Sequence, residues 1–208
     1  MKVTPIKASL IGAALAGALG TVVAQDKPVI ATVVKISGIP WFNRMEVGVK
    51  EFATTTPTVV ASQSGPATAD AAQQLKIIDD LVAKKVNALA VVPMDPAVIE
   101  GVLKRAMDRG IIVVTHEADN QKNTNANIEA FDNSAYGTAL NEKLAACMGK
   151  TGKWTSFVGS VGSRTHLQWV DAGAANAKKY AGMTLVDPKN ESFDDANKTY
   201  EKAKEILR

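Results

Sequence analysis

Residues 87–120 read NALAVVPMDPAVIEGVLKRAMDRGIIVVTHEADN, and the alternation inside this stretch decides the fold. Two short apolar runs, Ala88–Val92 and Ile111–Thr115, have strand length and flank a longer amphipathic segment. Within that segment Val98, Ile99, Val102, Leu103, Ala106 and Met107 recur at helical spacing and form one apolar face. Asp95-Pro96 opens the helix, since Asp caps free amides and Pro fits the first helical position. Gly110 closes it. A strand, a helix and a strand at this spacing imply parallel strands joined by a right-handed crossover. Each strand also ends in acid: Asp95 after the first, Glu117 and Asp119 after the second. Ligands of open parallel sheets bind beyond the carboxyl ends of the strands. Carboxylates placed there accept hydrogen bonds from a polyhydroxylated guest, so the unit is expected to wall a crevice for a small polar molecule. Asp95 is expected to serve as the helix cap.

The same alternation extends outward. Strands are expected at Val29–Val34, Thr58–Ser62 and Ile128–Phe131, with helices over about Arg44–Ala53 and Ala69–Lys84. Lys35–Asn43 (KISGIPWFN) is expected to be a loop. This gives an α/β fold with one doubly wound, Rossmann-like lobe over residues 27–133. The pattern then restarts over 134–208. Helices are expected at Ala135–Met148, His166–Tyr180 and Asp195–Leu207, and strands only at Trp154–Val158 and Thr184–Val186. Two strands cannot cover three helices or protect their own edges. The second lobe is therefore expected to be incomplete, and the chain to be a fragment of a longer reading frame.

Composition limits the function classes. Of the 208 residues, 46% are hydrophobic and 22% charged, which suits a globular chain rather than a disordered or multi-pass membrane one. Lys2 and Lys7 precede an apolar run rich in Ala and Gly, Ala8–Val23, and small residues end it at Val22-Val23-Ala24. That is the pattern of a cleaved secretory signal over residues 1–24. Its removal lowers the formal charge from +3 to about +1, so no basic surface argues for nucleic acid. After cleavage the chain is not expected to be embedded in a membrane. A single cysteine and two histidines leave no internal disulfide and little for a metal. Cys147 is expected to be a small core residue on the apolar side of its helix.

Read together, an exported chain with Gly38-Ile-Pro-Trp-Phe-Asn43 after the first strand resembles the periplasmic sugar-binding proteins of ABC importers, the type I, ribose-binding-like fold. Further matches in order are Gly65-Pro66, then Asp70, Gln74 and Ile78, then Ala90-Val-Val-Pro-Met-Asp-Pro96, and Gly110-Ile-Ile-Val-Val-Thr115 ahead of an acidic cluster. The resemblance covers essentially all of the mature chain and is nearest to the branch that binds rhamnose or autoinducer-2. It implies two lobes joined by hinge crossings that close over one ligand in the periplasm. It further implies delivery of a sugar-like molecule to a membrane permease, with no cofactor.

The resemblance also points to particular residues. Lys35, at the end of the first strand, matches a ligand-contacting lysine of the autoinducer-2 branch; its other reading is a solvated strand end. Trp41, Phe42 and Asn43 match a loop whose aromatics face the apolar side of a sugar ring while an amide bonds its hydroxyls, although either aromatic could instead fill the lobe core. Glu117, with His116 beside it, stands where relatives place an acid that grips hydroxyls. Arg164 matches a ligand-binding arginine of ribose-type relatives. Thr165 and His166 replace an Asp-Gln pair of the autoinducer-2 branch, and Gln168 and Trp169 match that branch, with helix packing as the alternative for Trp169. The relatives often carry Asn at the place of Val92, so the ribose contact pattern is not carried over whole.

Two other classes fit less well, and a third stays open. A sugar-phosphate enzyme on a Rossmann-like fold would need a GxGxxG after the first strand, a nucleophile elbow or a metal motif, and none is present. Gly159-Ser-Val-Gly162 ahead of a helix could cradle a phosphate, but it lacks a P-loop lysine. A repressor's effector domain shares the fold but lacks an export signal. A chemoreceptor or autoinducer-2-type signal receptor shares every feature and stays open beside transport.

Overall fold

The structure is a computed structural model that describes residues 27–208. The signal segment expected over residues 1–24 lies outside the described residues. Strands β1 (Val29–Val33), β2 (Val60–Ser64), β3 (Ala88–Val91), β4 (Ile112–His116) and β5 (Ala126–Ile128) form one sheet in the order β2-β1-β3-β4-β5. All four pairings are parallel. The fold is the expected α/β type. Helix α2 (Ala71–Ala83) and helix α3 (Pro96–Asp108) press on one face of this sheet. Ile78, Val82, Ile99, Val102, Leu103 and Ala106 interlock there with Ala31, Val33, Leu89, Val91 and Val113. Asp70 caps α2 by accepting from the amides of Ala72 and Gln73, and Asp95 caps α3 by accepting from Ala97. Gly110 follows α3 with a φ of +78°, a left-handed turn that glycine takes without penalty.

Helix α1 spans Pro40–Thr55, so the expected loop through Asn43 is shorter than the sequence suggested. Its first turn carries no side-chain cap. The only local signal is Pro40, whose fixed φ suits the first helical position. Trp41, Phe42 and Asn43 therefore sit on a helical turn, where successive side chains point in different directions. Phe42 is buried against Val34, Ile36 and Val92.

Gln74 fixes the end of the sheet from which the site grows. Its amide nitrogen donates to the carbonyls of Val34 (3.1 Å) and Val92 (2.8 Å), and its oxygen accepts from the amide of Met94 (2.8 Å). A fully buried side chain thus satisfies backbone groups where β1 and β3 end.

The second lobe begins with helix α4 (Asn133–Cys147), capped by Asp132. Strands β6 (Thr151–Trp154), β7 (Phe157–Val158), β8 (Gly182–Leu185) and β9 (Asn190–Glu191) make two parallel pairs, β6 with β8 and β7 with β9. Helices α5 (Arg164–Ala177) and α6 (Ala196–Ile206) complete the described elements. The single strand expected over Trp154–Val158 is broken at Thr155-Ser156, and β9 was not foreseen. Buried apolar residues here are few, namely Ala145, Val158 and Ala177 among the described residues. The lobe is held mainly by the close packing of α4 on α5.

That packing corrects one expectation. Cys147 is exposed. The buried positions of α4 are Asn133, Gly137, Asn141 and Ala145, a small and polar stripe at intervals of four. Cys147 lies two residues past Ala145, roughly 200° around the helix, so it faces water. Gly137 is the closest point of the stripe, because a Cβ there would run into the backbone of Trp169. Gly137→Ala is expected to destabilise the chain by about 1–3 kcal/mol, an overpacking cost larger than the gain in helix propensity. Urea unfolding measures it, and an unchanged midpoint would contradict the helix contact.

Candidate functional site

The carboxyl ends of β1 and β4 meet the start of α5 from the second lobe. Lys35 follows β1 and is 1% exposed, an arrangement lysine accepts only when its charge is answered. Its ammonium donates to Glu117 Oε2 at 2.7 Å and to Ser163 Oγ at 3.1 Å. Ser163 occupies the N-cap position of α5 but makes no capping bond. Its hydroxyl oxygen receives Lys35 instead.

Glu117 follows β4 with a φ of +59°, a left-handed backbone unusual for a non-glycine residue. Such strain gathers at ligand sites because the surroundings hold it in place. Burial pushes the Glu117 carboxyl up, but the charge and hydrogen bond of Lys35 hold it below its ordinary value. The backbone carbonyl of Glu117 also accepts from Thr165 Oγ1 at 2.6 Å, joining the two lobes.

His166 lies on the first turns of α5. Its Nδ1 accepts from the Gly159 amide at 2.9 Å, so the ring proton resides on Nε2. Burial first, and the nearby Lys35 charge second, lower its pKa, opposed by Asp194 and Glu117. The imidazole is thereby a neutral donor. An unfolded histidine takes up a proton as pH falls through about 6.5, whereas the folded ring resists. Stability should therefore fall from about pH 7 to pH 5, because the unfolded state binds more protons there. The Glu117 contribution is present above the ordinary carboxylate value and is lost at lower pH, as the solution passes its depressed value. Thermal melting against pH checks this: His166→Gln should flatten the slope between about pH 7 and pH 5, and parallel curves would contradict the assignment.

A cavity of about 310 Å³ opens against these groups. Lys35, Glu117, His166 and Asp194 supply its polar lining, and Ile39, Trp41, Phe42, Phe131, Tyr136 and Trp169 its apolar walls. Phe131, Tyr136 and Trp169 form a cluster with ring centroids 4.9 Å apart for Phe131–Tyr136 and 5.0 Å for Tyr136–Trp169. Trp169 is fixed by donating its indole N–H to Asn133 Oδ1 at 2.8 Å. Trp41 sits half exposed at the rim, while Phe42 reaches the cavity from the lobe core.

The other anticipated residues lie beside the cavity rather than in its lining. Asn43 is exposed and donates to the carbonyl of Gly38 at 3.3 Å. His116 donates from Nδ1 to the carbonyl of Ile128 at 2.6 Å, leaving Nε2 at 3.8 Å from Glu117 Oε1. Arg164 donates from Nε to Asp119 Oδ1 at 2.7 Å, and Gln168 donates to Asp119 Oδ2 at 2.6 Å. Asp119 thus ties the β4 end of lobe one to α5 of lobe two. Arg164 lowers the Asp119 carboxyl by hydrogen bonding, and the guanidinium is raised in return. The pair is partly exposed, and screened surface pairs are worth ~0–1 kcal/mol. Asp95 caps α3, as expected, and its outer oxygen abuts Gly162, where a Cβ would collide with it.

Sequence reasoning passed over Ser163, Phe131, Tyr136 and Asp194. Phe131 reads as the end of the fifth strand, which in fact stops at Ile128, Tyr136 reads only as part of a helix, and a buried hydroxyl at a helix start carries no distinguishing pattern. Among the described residues no group of three or more His, Cys, Asp or Glu side chains could hold a metal ion. No described helix is long and apolar enough to cross a membrane.

Residues 30–208 match the model of the periplasmic binding protein domain, and the chain belongs to that family. A D-ribose/D-allose-binding protein of Pseudomonas aeruginosa is 28% identical over 169 residues, covering 77% of this chain and 53% of that protein. The chain therefore spans about half the length of this curated relative. A solved ABC transporter solute-binding protein of Burkholderia graminis, in complex with D-arabinose, superposes with a TM-score of 0.78 at 23% identity over 88% of this chain and 63% of the other. Another, from Clostridium phytofermentas with bound L-rhamnose, gives 0.81 at 20% identity over 87% of this chain and 57% of the other. At that identity these two likenesses concern the fold.

Proposed function

We propose that this chain is the ligand-capturing part of a periplasmic solute-binding protein, which encloses a sugar or sugar-like molecule between two lobes and delivers it to the permease of an ABC importer. The observation that carries this reading is the cavity between the lobes, where a buried Lys35–Glu117 pair meets an aromatic wall. Pockets of ~300–1,000 Å³ hold small molecules, and about 310 Å³ suits a guest of monosaccharide size. Aromatic rings pack against the C–H faces of such a ring. Lys35 and His166 Nε2 donate to its oxygens, and Glu117 accepts from its hydroxyls. Trp41, Phe42, Phe131, Tyr136 and Trp169 supply the faces. Arg164, held by Asp119, helps to keep the lobes together, and His116 stands behind Glu117.

The mechanism is hinge closure. A ligand that touches both lobes stabilises the closed state by its differential affinity for that state. The role is binding without turnover, in the periplasm after export. Membership of the periplasmic binding protein family and the sugar-binding names of its relatives support this reading. Titration calorimetry of the chain with D-ribose, D-allose, D-arabinose and L-rhamnose tests it. Saturable binding of at least one, accompanied by a change in tryptophan fluorescence, is the expected result. Absence of heat and of any fluorescence change with all four would contradict it.

A further inference from the structure

Asp194 stands apart from the other polar groups of the cavity. It lines both the cavity described above and a neighbouring one of about 340 Å³ in lobe two, at the place where the two meet beside His166 and Trp169. Lys35 is answered by Glu117, and Arg164 by Asp119. No described residue donates a hydrogen bond to the Asp194 carboxylate or forms an ion pair with it. Its position is nonetheless held. Phe193 and Asp194 are consecutive non-glycine residues in the left-handed region, with φ of +58° and +54°, a pairing that L-residues seldom adopt. Phe193 is anchored by its amide, which donates to the carbonyl of Gly159 at 2.8 Å. The carboxylate itself lies over Gly159, where any Cβ would collide with it. The chain thus keeps a strained turn and a bare glycine, and together they present an unanswered carboxylate to the cavity.

We propose that Asp194 is a ligand contact from lobe two that sets specificity, accepting hydroxyl hydrogen bonds from an uncharged polyol and rejecting anionic guests such as sugar acids and sugar phosphates. This rests on the reading of the cleft as a sugar site. Two acceptor oxygens suit adjacent hydroxyls. A carboxylate or phosphate on the guest would meet Asp194 at close range, while the one ammonium in the lining is already paired. Repulsion of this kind is how a site discriminates against a ligand of similar shape. Sequence reading assigned only the neighbouring Asp195, as the start of a helix; Asp195 does cap α6, accepting from the amides of Asn197 and Lys198.

The test uses the full chain with Asp194→Asn and, separately, Gly159→Ala. Asn is at ease in the left-handed region, so the first variant keeps the turn while removing the charge. The second keeps the charge but displaces the carboxylate. Calorimetry is run with the four neutral sugars above and with D-glucuronate and D-ribose 5-phosphate. The wild type should bind a neutral sugar and strongly disfavour both anions. Each variant should weaken the neutral sugar by about 10- to 100-fold, the value of a hydrogen bond to a charged group, and Asp194→Asn should narrow the gap to the anions. Wild-type affinities in both variants, with the anions still rejected, would overturn the role of Asp194 and leave the sugar reading standing. Loss of the neutral sugar in Asp194→Asn with the gap to the anions unchanged would overturn its role in specificity. Failure of the wild type to bind any neutral sugar would remove the sugar reading and this inference with it.

Discussion

Glu117→Ala should lower the stability of the chain by about 3–5 kcal/mol, because it leaves the Lys35 ammonium buried without its counter-charge. Lys35 is 1% exposed, and its remaining partner is the neutral hydroxyl of Ser163. Alanine would also inherit the left-handed backbone of Glu117, where φ is +59°. Sugar binding should disappear with the acceptor. A control separates the two effects. Replacing Lys35 with Met and Glu117 with Leu removes both charges, and well-packed apolar pairs in place of buried ion pairs are often neutral or stabilising. The double variant should recover much of the lost stability and none of the binding. Urea unfolding of the wild type, Lys35→Met, Glu117→Leu and the double variant gives the coupling directly. Additive losses would mean that the two residues are not energetically paired.

Trp169→Ala should have the second largest effect, and it acts on both packing and the cavity wall. The indole packs on Tyr136 and His166, bonds Asn133, and faces the cavity. A fully buried Trp→Ala change costs ~3–5 kcal/mol; Trp169 is half buried, so about half of that is expected. Binding should fall further than stability, since the ring is also a wall for the ligand. Trp169→Phe should restore most of the packing without the bond to Asn133. If Trp169→Ala loses stability but binds sugar normally, the cluster is a core element and not part of the ligand wall.

How much of this could be read from the sequence depended on whether local chemistry or long-range packing set the outcome. The α3 unit was legible because Asp95, Pro96 and Gly110 act on their own neighbours, and the apolar face of the helix repeats with its period. Lys35 and Glu117 were legible for a related reason: a charge directly after a buried strand stands at the carboxyl edge of the sheet. The start of α1 was not, because no side chain caps it and only Pro40 marks it. Cys147 was misjudged because α4 buries Gly137, Asn141 and Ala145 against α5, while apolar side chains lie elsewhere on the helix. Only the partner helix reveals which stripe is inside. Arg164 was recognised as a residue of the cleft region, but its partner Asp119 is 45 positions away, and the pairing comes from the approach of the lobes. Asp194 gave no local signal, since its place over Gly159 is made by a strained turn.

A crystal structure of the chain grown with the sugar that binds most tightly in the calorimetric panel would test the central claim most directly. The ligand is expected between the lobes, with its ring against Trp169 and hydroxyls within hydrogen-bonding distance of Glu117 and Lys35. A ligand bound elsewhere on the surface, with the cavity beside Lys35 and Glu117 empty, would contradict the account.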